Sequence, residues 1–85
     1  MNRDLLTNAR PEQVAHASMT LLDCMQNLQA GNQTLGAAAL FFLLCEHWGV
    51  DPREALGLAR NLMCSTEGKR RPEFRAVAFY LRNNL

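Results

Sequence analysis

The chain has 85 residues, 48% of them hydrophobic and 20% charged, with nine Lys and Arg against eight Asp and Glu. That length is one domain and excludes a multidomain enzyme, and the near-neutral balance gives no long-range attraction to nucleic acid or anionic lipid. Below roughly 70–80 residues a lone core seldom yields more than about 3–5 kcal/mol, so a chain barely above that size is expected to gain from a second copy.

Met1 to Arg10, with Asp4, Thr7 and Asn8 around Leu5-Leu6, shows no sustained period and is read as an N-terminal arm, leaving 11–85 as a single helical domain. From Pro11 the positions Val14, Ala17, Ser18, Leu21, Leu22, Met25 and Leu28 recur at three and four residues, which places them on one helical stripe. Gln13, His16, Thr20, Asp23 and Asn27 take the other face. Pro11 suits a first helical turn and Gly31 a left-handed cap, so a helix is predicted over about 11–29.

Asn32 or Thr34 can cap the second helix, predicted over 34–48 and closed by Gly49. From Leu35 to Trp48 it is apolar nearly all round, and a helix with no polar face must be covered on all sides. It is therefore expected to thread the centre of the fold or to be covered by a second subunit. Gly36 and the alanines at 37–39 permit close backbone approach, which makes Leu35, Ala38, Ala39 and Phe42 the expected dimer contact. The adjacent rings of Phe41 and Phe42 cannot face one narrow seam, so one of them meets a different surface.

Asp51-Pro52-Arg53-Glu54 reads as a helix start, with Asp51 as N-cap acceptor, Pro52 at the first position and Glu54 placed for a capping box. The third helix, over 52–64, then buries Ala55, Leu56, Ala59, Leu62 and Met63. Ser65 to Arg71 is a polar loop containing Gly68, and Pro72 opens a fourth helix, over 72–83, with Phe74, Val77, Ala78 and Leu81 inward and Phe79 and Tyr80 flanking. The fold class is all-α, a compact four-helix domain with a central, very apolar helix.

No constellation announces catalysis. Cys24, Cys45, Cys64, His16 and His47 lack the paired spacing of a zinc site, and Cys45 and His47, two apart, point to nearly opposite sides of a helix. Free cysteines packing as small hydrophobes, without metal or cofactor, are the expected state. The carboxylates are scattered, and no glycine-rich phosphate loop follows a strand. The apolar run Leu35–Cys45 is far short of the ~20 residues a membrane span needs and lies mid-chain, without the flanks of a signal peptide, so no membrane partner is expected and the compartment is read as cytoplasmic.

Charge is uneven. Residues 1–66 hold four Arg and six acids, a formal −2, while 67–85 hold Lys69, Arg70, Arg71, Arg75 and Arg82 against Glu67 and Glu73, a formal +3. Helices 2 and 3, joined by Gly49-Val50-Asp51-Pro52, have the length of a helix-turn-helix, and the basic run can meet phosphates, so a DNA-binding regulator is the alternative reading. Against it, the recognition helix would begin with Asp51 and Glu54, continue mostly in Ala, Leu and Gly, and follow a helix too apolar to lie on a phosphate backbone. An accessory chain of an enzyme is a third reading, with nothing in the residues to favour it.

Two segments carry a resemblance: 40–63, running from Leu40-Phe41-Phe42 through Glu46-His47-Trp48-Gly49-Val50-Asp51-Pro52-Arg53-Glu54 to Leu62-Met63, and 71–81, from Arg71-Pro72-Glu73-Phe74 to Leu81. They resemble small all-helical regulatory proteins of proteobacteria and their phages, with QslA-type quorum-sensing antiactivators as the nearest named type. The resemblance implies sequestration of a LuxR-type transcription factor, with no cofactor and no catalysis. It carries no positional motif, so no functional residue is transferred. From the residues themselves, the expected partner surface is Leu40, Phe41, Leu44, His47 and Trp48, rimmed by Arg70, Arg71, Arg75 and Tyr80.

Overall fold

Three prolines and two of the five glycines, Gly49 and Gly68, punctuate the chain, the prolines opening helices and the glycines lying in the connections. The computed structural model describes residues 6–85. Four helices follow in order: α1 Pro11–Cys24, α2 Ala30–Trp48, α3 Pro52–Met63 and α4 Pro72–Asn84. No strand forms among the described residues, where an isolated antiparallel bridge joins Cys64 to Arg70. The arm expected over 1–10 lies partly outside the described residues; within them, a short helical turn at Leu6-Thr7 is followed by the Ala9 N–H donating to the Leu6 carbonyl at 3.3 Å.

The helix starts follow local chemistry. Pro11, Pro52 and Pro72 each occupy a first helical position, where a missing N–H costs nothing. The Asp51 carboxylate accepts from the Arg53 N–H at 2.9 Å, the expected N-cap. At the other end of α2, Gly49 takes φ 66, ψ 38, the left-handed conformation expected of it, and the Val50 N–H then reaches back to the Cys45 carbonyl at 2.8 Å.

The boundary between α1 and α2 differs from the expectation. α1 ends at Cys24, five residues early, and α2 begins at Ala30, so Gly31 lies in the first turn of α2 and is not the cap of α1. Asn32 and Thr34 are likewise inside α2, whose cap position, Gln29, makes no side-chain cap bond. The chain turns over Met25–Leu28 instead, and the Met25 carbonyl there accepts both the Leu28 N–H at 3.1 Å and, from the next helix, the Gln33 amide at 2.9 Å.

The loop from Ser65 to Arg71 is a tight clamp. Ser65 N–H donates to the Lys69 carbonyl at 2.7 Å, Arg71 N–H to the Met63 carbonyl at 2.9 Å, and Gly68 makes the reversal at φ 79. The Arg71 guanidinium Nε adds a 2.8 Å bond to the Leu62 carbonyl, closing one of the orphan acceptors at the end of α3.

Packing proceeds in pairs, α1 on α4 and α2 on α3. The result is a flat body, 35 × 31 × 17 Å, with a radius of gyration of 13.4 Å. A compact 85-residue chain would have about 12 Å. Among the described residues the buried apolar ones are few: Ala15 and Leu22 of α1, Phe74 of α4, Cys45 of α2, and Val50. In α1 the inward line has rotated from the expected stripe, since Ala15 is buried while Ala17 and Leu21 are exposed, and Leu28 lies exposed beyond the helix.

The expectation that α2 threads the centre is corrected. Cys45 is its one buried residue, while Leu35, Leu40, Phe42, Leu43, Leu44 and Trp48 stand exposed. The three other helices have 14, 12 and 13 residues, and two of them are spent on each other, so a single helix, α3, is left to lie along a 19-residue rod that is apolar nearly all round from Leu35 onward.

Candidate protein-binding groove

α1 and α2 are consecutive but are not packed along their lengths, and the space between them is a groove of about 420 Å³. Leu21 and Cys24 line it from α1, Met25 and Leu28 from the turn, and Gly36, Ala37, Leu40, Phe41 and Leu44 from α2. Asn32 and Gln33 are its polar members, and the Gln33 amide is already engaged with the Met25 carbonyl. Gly36 has open space where a Cβ would stand, which keeps that wall of the groove thin. A cleft with no charged side chain in its lining has one chemical capacity, the removal of apolar surface from water.

Of the residues expected to contact a partner, the structure brings Leu40, Phe41 and Leu44 together in this groove. Trp48 continues their line one turn beyond Leu44, exposed, with the His47 ring edge-on to it at 4.8 Å and 88°. Phe41 and Phe42 divide as their adjacency requires: Phe41 is half-buried against the groove, and Phe42 is exposed on the outer side of α2, their centroids 6.0 Å apart. Leu35, Ala38 and Ala39 are exposed with Phe42.

The expected polar rim is not assembled around these residues. Arg71 is used against the Leu62 carbonyl. Tyr80 ties α4 to α1, its hydroxyl donating to Asp23 Oδ1 and accepting from Gln26 Nε2 at 2.8 Å. The Asp23 carboxylate holds the Tyr80 phenol above its ordinary 10.0, and burial pushes the same way. Arg70 and Arg75 instead line a second hollow with Arg82, Cys64, Gly68 and Ala78, and no residue is shared with the apolar groove.

Leu21, Met25 and Leu28 are groove residues that periodicity assigned to the core stripe. The signal for them was the neighbouring pair Leu21-Leu22, which a helix turns 100° apart, so that both cannot face one seam. The structure resolves the pair by burying Leu22 and exposing Leu21.

Among the described residues no group of three or more His, Cys, Asp and Glu is placed to hold a metal ion, and the three cysteines are free thiols, Cys45 buried, Cys64 half-buried and Cys24 exposed. No helix of the described residues is long and apolar enough to cross a membrane. Compared with family models, with curated proteins and with solved structures, the chain finds no match.

Proposed function

We propose that this chain is a small cytoplasmic regulatory protein that acts without catalysis, as a homodimer, by binding another protein and covering its dimerisation or docking surface. The observation that carries the reading is the α1–α2 groove, an apolar cleft open to solvent between two helices and continued by an exposed Trp48. A cleft of that shape suits the apolar face of an amphipathic helix, the element through which many transcription activators pair with themselves. A LuxR-type transcription factor is the partner class that the resemblance of 40–63 and 71–81 suggests, which would make the chain an antiactivator in quorum sensing.

The test is paired capture. The native chain and a Leu40→Asp, Leu44→Asp twin are offered to purified LuxR-type activators, and each activator's own dimerisation is followed by light scattering. The reading expects one activator to be bound by the native chain, lost with the twin, and converted from dimer to monomer as it binds. Retention by the twin, or an activator still dimeric when bound, overturns it.

A DNA-binding reading has its own observation, the hollow in which Arg70, Arg75 and Arg82 converge. Salt separates the two: release of condensed counterions makes DNA affinity fall steeply as salt rises, whereas apolar burial is little affected. At the start of α3, the Asp51 carboxylate occupies the Arg53 N–H and sets a negative charge where phosphate or bases would be met, which favours the protein partner.

A further inference from the structure

The outer side of α2, facing away from the groove, carries Leu35, Phe42 and Leu43 at 72%, 56% and 61% exposure. At 100° per residue these three, with Ala39 and Glu46, fall within about a 100° sector of the helix, while Leu40 and Leu44 lie beyond it on the groove side. We propose that a second copy of this chain packs antiparallel on this outer face, about a two-fold axis at Ala39. The proposal gives the homodimer in the reading above its face and register; the contact meets the groove at its edge, Asn32 and Gly36, and leaves Leu40, Phe41 and Leu44 to the other protein.

Surface area argues for a cover of that size. The whole chain exposes 6556 Å². Residues 1–5 can supply at most about 900 Å² of this at 1.45 Å² per dalton, and the remainder still exceeds by about 800 Å² the roughly 4,850 Å² expected of a compact monomer of its mass. About 800 Å² per partner is what a standard stable interface buries.

The register argues that the cover is the same face again. A two-fold contact must be self-complementary, so every residue meets its mirror position across the axis. An axis at Ala39 sets Leu35 against Leu43 of the partner subunit, and Phe42 against the partner's Gly36, where the space for a Cβ is open. Ala39 meets itself at the crossing, where two backbones approach most closely. Asn32 meets the partner's Glu46, an amide donor facing a carboxylate at both ends of the apolar strip. Moving the axis half a residue toward the N-terminus would oppose Asn32 to the partner's Cys45, which is buried inside its own chain. Ala38 lies at the margin of this face, turned toward Cys45.

Sedimentation velocity on the native chain at tens of micromolar is expected to show a dimer. Phe42→Glu and Leu43→Glu, at exposed positions, are expected to keep the native helical spectrum and weaken the dimer at least ten-fold; Asn32→Lys, opposing a cation to Glu46, is expected to strengthen it. Where a glutamate variant fails to fold, Ala39→Cys in a Cys24→Ser chain gives an independent reading: oxidation by diamide is expected to link two copies through residue 39, identified by peptide mapping. A monomeric native chain overturns the proposal, as does a dimer indifferent to Phe42→Glu or one that forms no 39–39 link. Leu44→Asp keeps the two claims apart, because it is expected to leave the dimer intact while ending capture of the other protein.

Discussion

The two helix pairs solve the same problem differently. The α1–α4 pair holds Ala15, Leu22 and Phe74 out of water and is tied across its surface by Tyr80, Asp23 and Gln26. The α2–α3 pair buries Cys45 and Val50, and most of its longest helix remains in solvent. In the first pair each helix has an apolar stripe and a polar face, so the two can satisfy each other. In the second, α3 is the most strongly amphipathic helix of the four and offers a single stripe to a rod with no polar side. One stripe cannot cover a rod, and what it leaves exposed is the surface on which other chains can act.

The sharpest way to break this comparison is at the one aromatic ring the fold buries. Phe74→Ala should cost about 3–5 kcal/mol, from lost burial and the cavity left behind, while Phe79→Ala on the same helix, at 62% exposure, should stay within about 0.5 kcal/mol. Urea titration followed by circular dichroism measures both. For a domain this small the first change removes much of the total stability, so a mostly unfolded Phe74→Ala chain at 37 °C is the expected result. Near-equal costs at the two positions would mean that α4 does not seat against α1 through Phe74.

The exposed pair is tested by affinity. Phe41→Ala and Trp48→Ala should each cost about 2 kcal/mol or more against the bound protein, roughly 30-fold, while Arg70→Ala and Arg75→Ala, in the separate basic hollow, should leave the affinity within about two-fold. Titration calorimetry at two salt concentrations provides the measurement. The reverse ranking, with arginine truncations dominant and affinity collapsing in salt, would move the function from the groove to DNA.

How far the sequence discloses this arrangement follows from the range of each signal. Asp51, Pro52 and Gly49 act through their own backbone and its nearest neighbours, so the ends they mark are found where spacing puts them. Gly31 suggests a cap by the same logic and is not one, because the chain after α1 turns on the Met25 carbonyl, held by the Leu28 N–H and by Gln33, a residue of the next helix whose reach only the folded turn makes possible. The surroundings of α2 are illegible for a deeper reason. Periodicity reports which side of a helix is wet, and a helix apolar on all sides carries no such report. Whether it lies in the centre depends on how many neighbours are free to cover it, a property of the whole chain. Leu40, Phe41 and Leu44 could be chosen for a partner surface because α2 has apolar residues to spare, whereas Leu21, Met25 and Leu28 were hidden by an α1 stripe that looked sufficient as a core.

Smaller effects sharpen the ends of α2 and α3. Gly49→Ala must hold a Cβ at φ 66, a strain of roughly 1–2 kcal/mol, and Asp51→Ala leaves the Arg53 N–H without its acceptor, at about 1 kcal/mol. Both residues belong to the three-residue connection that sets α3 against α2. Because they lie on one short loop, the double variant should depart from additivity, and a thermal melt of the three variants beside the native chain shows whether it does. Additive costs would mean that the two caps act on their helices independently and that the connection does not behave as one unit.

The smallest expected effect is a pH dependence in the α1–α4 pair. Tyr80 donates its hydroxyl hydrogen to Asp23, so the folded state holds that proton more tightly than the unfolded chain does, and the phenol titrates above its ordinary 10.0. The folded state therefore binds more protons than the unfolded one wherever pH lies between the two values. Stability from this contact is fully present below pH 10 and declines as pH rises from there through the folded value. Tyr80→Phe has no phenolic proton to lose, so its unfolding midpoint should be slightly below that of the native chain at neutral pH and should lack this part of the alkaline decline. Chemical denaturation at pH 7, 9, 10 and 11 compares the two slopes. A native chain and a Tyr80→Phe chain that fall in parallel above pH 10 would show that the tie between α1 and α4 is apolar, carried by Leu22 and Phe74, and that the Tyr80–Asp23 contact adds nothing to it.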